Sequence, residues 1–140
     1  NRLPTSEHLN WDGFQMVSRC AFCRAMDDTT HHVFMECDHA RQPWNYLGVL
    51  FGVAVDSKNQ IIDLLSGMMQ VRYSEKIFNL FTTAIAAVFA DLWDSRNMAL
   101  FDGVVDDVWK GIISIHRDVY VASVIHDGVM DNTILTSKLL

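Results

Sequence analysis

Ile77, Phe78, Phe81, Ala84, Ile85, Val88, Phe89, Leu92 and Trp93 recur at three-to-four residue spacing for about five helical turns. No strand can place that set on one side, because strand side chains alternate with period two. Ser74 precedes the run as an N-cap, and Asp102-Gly103 closes it. A helix this long needs other elements to cover its apolar face, so it sets the architecture of the chain. A second periodic stretch begins near Val105, with Val105, Val108, Ile112, Ile115 and Val119 on one stripe. Val119, Val121 and Ile125 are β-branched and also fit a strand; the unbroken spacing predicts helix through about residue 126.

Upstream, the spacing predicts a short helix from a Thr5 cap to about Trp11, ended by Asp12-Gly13. Thr29 or Thr30 caps a helix that includes Val33, Phe34 and Cys37. Another runs from about Ala40 to Phe51, with Trp44, Leu47 and Leu50 or Phe51 inward and Gly52 as its stop. Asp56-Ser57 opens a further helix over Ile61, Ile62, Leu64 and Leu65, ending at Gly67. The expected fold is all-α: a small helical region followed by a helical hairpin. The divisions are 1–52 for the small region, 53–73 for a connecting helix and linker, 74–126 for the hairpin and 127–140 for a loose tail.

The chain changes character near residue 53. Before it lie all three cysteines, four of the six histidines and both prolines. Cys20 and Cys23 form C-x2-C, a spacing that lets two thiolates from one turn share a metal. Cys37 follows fourteen residues on, with His31, His32 and His39 nearby. A closed tetrahedral zinc site takes four ligands, and three thiolates with one imidazole make a standard set. Cys20, Cys23, His32 and Cys37 have the best spacing; His39 offers a rival fourth ligand and His31 a weaker one. Five residues on a regular helix turn His32 and Cys37 about 140° apart. His32 therefore belongs at a helix start and Cys37 at or past its end. Three cysteines cannot make a complete disulfide framework, and no βαβ pattern surrounds C-x2-C to support a redox role.

Charge narrows the function classes. The chain carries 11 basic and 17 acidic residues, −6 in all. Residues 1–52 hold four basic against six acidic, −2, and the remainder seven against eleven, −4. Neither part has the positive field that drives tight, sequence-blind phosphate binding. Arg19 and Arg24, beside C-x2-C, are the best candidates for touching a phosphate. The apolar run Ile77–Ala90, interrupted by Asn79, Thr82 and Thr83, is shorter than the ~20 residues of a membrane span. No cationic, apolar leader opens the chain, and a reducing intracellular compartment, nucleus or cytoplasm, is expected. Phe89-Ala90-Asp91 lacks the second aspartate of a polymerase signature and sits on a helical stripe. No nucleophile, base and orienting group come together, so no catalytic activity is expected. Trp93, Trp109 and Tyr120 could stack on bases, but their spacing favours core packing, and Trp11 and Trp44 are expected around the metal.

The order Arg2-Leu3-Pro4-Thr5, Leu9, Cys20-x2-Cys23, Thr30-His31-His32-Val33-Phe34-x2-Cys37, Trp44 resembles the zinc-binding region of plant non-LTR retrotransposon reverse transcriptases. Phe89, Trp93, Arg96-Asn97 and Phe101 resemble the W-x3-W-x2-R-N-x3-F helix that often follows it in these polyproteins. The resemblance implies one structural zinc on Cys20, Cys23, His32 and Cys37, leaving His31 and His39 out. It also implies a non-catalytic module of a larger protein that helps it bind RNA or DNA, and a chain that begins inside the domain. Glu7, His8 and Asn10 stand where the family is usually basic. That departure implies weak nucleic-acid binding and opens an alternative: a structural or protein-interaction module from a degenerate or repurposed copy, with a helix-mediated partner or self-association.

Overall fold

A computed structural model describes residues 19–52 and 74–127, with Gly13 and Met69 besides. The expected helices at 5–11 and 57–67, Trp11 and the tail beyond 127 lie outside the described residues. The regular elements among the described residues are all helical, with no strand; residues 19–29 and 103–107 are turn and loop, and an isolated bridge pairs Arg19 with Asp27. The all-α expectation holds.

The first described element is a π-helical turn, His32–Glu36. Thr29 caps the chain leading into it: Thr29 Oγ1 accepts from the His32 N–H at 3.1 Å, and Thr29 O accepts from Val33 N–H at 3.0 Å. Helix α1, Asp38–Phe51, follows Cys37. Pro43 lies inside it, where it removes one backbone donor. Gly52 ends it at φ +68°, the left-handed conformation that glycine adopts without a Cβ penalty. Trp44, Leu47, Leu50 and Phe51 are buried together, as the spacing predicts.

Helix α2, Glu75–Asn97, starts at the Ser74 cap, whose Oγ accepts from Ile77 N–H at 3.4 Å. Leu80, Phe81, Ala84, Ile85, Val88 and Leu92 form its buried face. Glu75–Asp102 is long and apolar enough to cross a membrane by length and composition. That exceeds the fourteen-residue run counted from sequence, but the apolar face packs into the protein core and Asp91, Asp94 and Arg96 interrupt the stretch. A second π segment, Met98–Asp102, leads to Gly103 at φ +68°.

Helix α3 spans Val108–Asp127, so residues 119–126 are helix and not strand. It starts later than the expected Val105, because Asp107 is its cap: Asp107 Oδ1 accepts from Trp109 N–H at 3.1 Å and Asp107 O from Lys110 N–H at 3.0 Å. Val105 lies before it and is exposed. Ile112, Ile115 and Val119 are buried as predicted, whereas Trp109 and Tyr120 are exposed, contrary to the core packing expected of them. Trp93 does pack inward.

One hydrophobic cluster joins the cysteine-bearing segment to the helices. Phe34 stacks near Trp93 with centroids 6.3 Å apart and meets Phe89 at 5.2 Å. Trp44 meets Phe89 edge-on at 5.3 Å and donates its indole N–H to Phe34 O at 2.5 Å. Beneath the rings lies a buried ion pair between Asp28 and Arg96. Arg96 Nε donates to Asp28 Oδ1 at 3.1 Å, and Nη2 donates to Oδ2. Nη1 reaches Asn97 Oδ1 at 3.3 Å, and the guanidinium lies over Trp93, 5.2 Å from its centroid.

Candidate metal centre

Residues 19–27 make a tight loop. Cys20 N–H donates to Met26 O at 2.8 Å and Arg24 N–H to Cys20 O at 2.9 Å. Arg24 closes the turn at φ +57°, a conformation few non-glycine residues adopt. Arg19 braces the loop by donating from Nη1 to Ala25 O at 2.7 Å. Its guanidinium is thus partly committed to structure. The loop presents Cys20 and Cys23 to one side, Cys20 fully buried and Cys23 exposed.

The π turn supplies the other half. In a π-helix the N–H bonds five residues back instead of four. Cys37 N–H donates to His32 O at 2.8 Å, the bond that brings residue 37 around to residue 32. A regular helix would leave the two about 140° apart; the wider turn removes that conflict. His32 sits near the start of the helical stretch and Cys37 just past its end, as the spacing requires.

Cys20, Cys23, His32 and Cys37 consequently bring their ligand atoms within 4.8 Å of one another. Cys20 Sγ and Cys37 Sγ are 3.9 Å apart, and Cys23 Sγ and His32 Nε2 are 3.3 Å apart. Zn–S bonds of ~2.3 Å and Zn–N bonds of ~2.0 Å in a tetrahedron give S···S and S···N edges of about 3.8 and 3.5 Å. The donor set fits zinc in number, type and size. Around the Cys20 sulfur the Cys37 contact lowers the thiol pKa; burial opposes this, and the backbone N–H groups of Cys23 and Phe22 reinforce it, taking it to about 5. The same contact pushes the Cys37 thiol upward. A pocket that concentrates donors on sulfur is suited to thiolate ligands.

The histidines separate cleanly. His32 is buried with Nε2 toward the sulfurs; its Nδ1 lies 3.9 Å from Glu36 Oε2. His31 is half exposed and contacts Glu36 Oε1 at 3.3 Å. His39 stacks on Phe22 with centroids 4.2 Å apart and planes 11° apart, outside the cluster. Burial holds its pKa below the ordinary value. His39 therefore walls the C-x2-C loop. Sequence reasoning missed Glu36; its i,i+4 spacing from His32 was the available signal.

A closed Cys3His group on a turn and a helix defines a structural zinc-binding module. Residues 1–44 are similar to the family profile described as zinc-binding in reverse transcriptase, and the match and the cluster together support one structural zinc. No curated protein and no solved structure matches the chain.

Proposed function

We propose that this chain is a non-catalytic zinc module of a plant non-LTR retrotransposon polyprotein, with zinc held by Cys20, Cys23, His32 and Cys37, assisting nucleic-acid binding by the larger protein. The observation that carries it is the meeting of four ligand atoms within 4.8 Å inside the family match. Zinc supplies no reaction here: with four protein ligands it has no open position for water. Its role is to fix the loop at 20–23 against the helix that carries His32. The proposed divisions are 1–52 for the zinc-binding domain, 53–73 for its connection, 74–126 for a supporting hairpin and 127–140 for a tail, working in the nucleus or cytoplasm.

Native mass spectrometry tests the ligand set. The wild type carries one zinc; His32→Ala loses or weakens it, while His39→Ala and His31→Ala keep it. Zinc lost only with His39→Ala refutes the assignment. Glu36→Ala removes a carboxylate 3.9 Å from His32 Nδ1, a distance longer than a hydrogen bond, so zinc affinity in a chelator competition falls by less than the ~10–100-fold that loss of a hydrogen-bonded partner of a ligand costs. An unchanged affinity would limit Glu36 to the surface.

The acidic balance predicts weak association with RNA or DNA that fades as salt rises. A mobility-shift series starting at low ionic strength measures it. No binding there supports the second reading, a zinc-stapled structural or protein-interaction module from a degenerate or repurposed copy, which the exposed apolar side chains of α3 favour.

A further inference from the structure

Among the described residues, nine of the twelve exposed large hydrophobic side chains lie between Met98 and Val124, which makes α3 and its approach an apolar surface. Trp109 is 63% exposed, Ile113 68% and Tyr120 51%. At ~100° per residue, Trp109, Ile113, Tyr120 and Val124 fall within about 60° around the helix. The buried stripe Ile112, Ile115 and Val119 faces the core instead. Helix α3 therefore carries two apolar stripes, and only one is covered. Beside the outer stripe lies a groove of about 460 Å³, lined by Tyr46, Trp109, Ile113, His116, Arg117 and Tyr120. Tyr46 Oη and His116 Nδ1, 2.5 Å apart, tie its two sides together.

We propose that this face pairs with the same face of a second copy, α3 against α3, antiparallel about a two-fold axis near residues 116 and 117. Three observations select that occupant. The outer stripe is symmetric in spacing: 109 and 124, 113 and 120, and 116 and 117 are equidistant from one centre. A two-fold axis there sets Trp109 against the partner's Val124 and Ile113 against the partner's Tyr120, apolar on apolar on either side of a polar step at the axis where His116 meets the partner's Arg117, an isologous contact. The charges are already answered within the chain: Lys110 Nζ meets Asp106 Oδ1 at 3.2 Å and Arg117 Nη2 meets Asp118 Oδ1 at 3.4 Å. That leaves the face without the net positive charge a polyanion would need. Trp109, Ile113, Tyr120, Val121 and Val124 leave about 600 Å² exposed, so a symmetric pair covers about 1,200 Å², the lower end of specific interfaces. Arg117 at the axis, Tyr120 beside it and Trp109 toward each end, with no Glu on the helix, match the residue types enriched at interfaces.

Analytical ultracentrifugation of the zinc-loaded full chain over a concentration series tests this. Zinc content is read on the same sample, so failure of the metal assignment appears there and not in the mass. The mass rises from 16.0 kDa toward twice that value, and the rise sharpens with salt, because screening weakens repulsion between two copies of charge −6. Ile113→Asp alone and Tyr120→Lys alone each shift dissociation to at least tenfold higher concentration. The double variant, Ile113→Asp with Tyr120→Lys, restores pairing, since the register places the new charges opposite each other. A folded wild type that stays monomeric throughout overturns the proposal. So does Ile113→Asp lowering the melting temperature of a monomer, which assigns the face to another segment of this chain. Association that weakens with salt and disappears after nuclease treatment assigns it to nucleic acid and overturns it too.

Discussion

Chelating the zinc abolishes the native arrangement of residues 19–37: near-ultraviolet circular dichroism of the aromatic cluster is lost, and cysteine reactivity rises at Cys20 and Cys37. The expected scale is the apparent binding energy of structural zinc in small folds, ~10–16 kcal/mol near neutral pH. Little else holds the loop. Its internal backbone bonds are few, Cys20 and Cys37 are bound by no disulfide, and Arg24 is held in a left-handed conformation. Without the ion, three sulfurs and an imidazole nitrogen stay within 4.8 Å with no charge to draw them together. The helices respond less. The contacts of Phe81, Ala84, Ile85 and Val88 with α1 and α3 do not pass through the metal, so far-ultraviolet helicity falls only in part. Acid reproduces chelation, because each ligand must be deprotonated to bind and protons compete more strongly as pH falls. Titration with a zinc-sensitive dye reads release directly. A chain that keeps its tertiary signal and buried cysteines in excess chelator would remove zinc from the folding account.

The helices of this protein were legible because their periodicity is long: Ser74, the α2 stripe, Gly52 and Gly103 act as expected. The four candidate ligands were legible because spacing and residue type both speak for them. What escaped depends on partners distant in the chain. Arg96 reads locally as a cation in the last turn of a helix, where it complements the dipole. Its burial follows from Asp28, sixty-eight residues away. Trp109 and Tyr120 sit at helical spacing that suits a core, yet α3 has two apolar stripes and sequence alone does not say which is covered first. The π turn is invisible to a 3.6-residue template; the mismatch between His32 and Cys37 on a regular helix was its only trace.

Arg96→Ala destabilises the zinc-loaded protein by about 3–5 kcal/mol, because it strands the Asp28 carboxylate in the interior without its counter-ion. Both side chains are almost fully buried, so water cannot replace the guanidinium cheaply. Arg96→Lys recovers little, since one ammonium cannot reproduce two parallel N–H bonds to the carboxylate, the bond to Asn97 and the stack on Trp93. Asp28→Ala costs a similar amount by leaving the cation unpaired. Replacing both, as Asp28→Leu with Arg96→Met, is far milder than the sum of the single changes, because the unpaired charge disappears along with its partner. Urea unfolding of the four proteins at fixed zinc completes the cycle. The location of the pair decides a second readout. Asp28 lies between the C-x2-C loop and the turn that carries His32, while Arg96 lies on α2. Loosening it frees the metal-binding segment from the helices, so Arg96→Ala also weakens zinc binding although it touches no ligand. If the single variants lose less than 1 kcal/mol, or zinc affinity is unmoved, the pair ties nothing together and the rings of Phe34, Trp93 and Phe89 carry the junction alone.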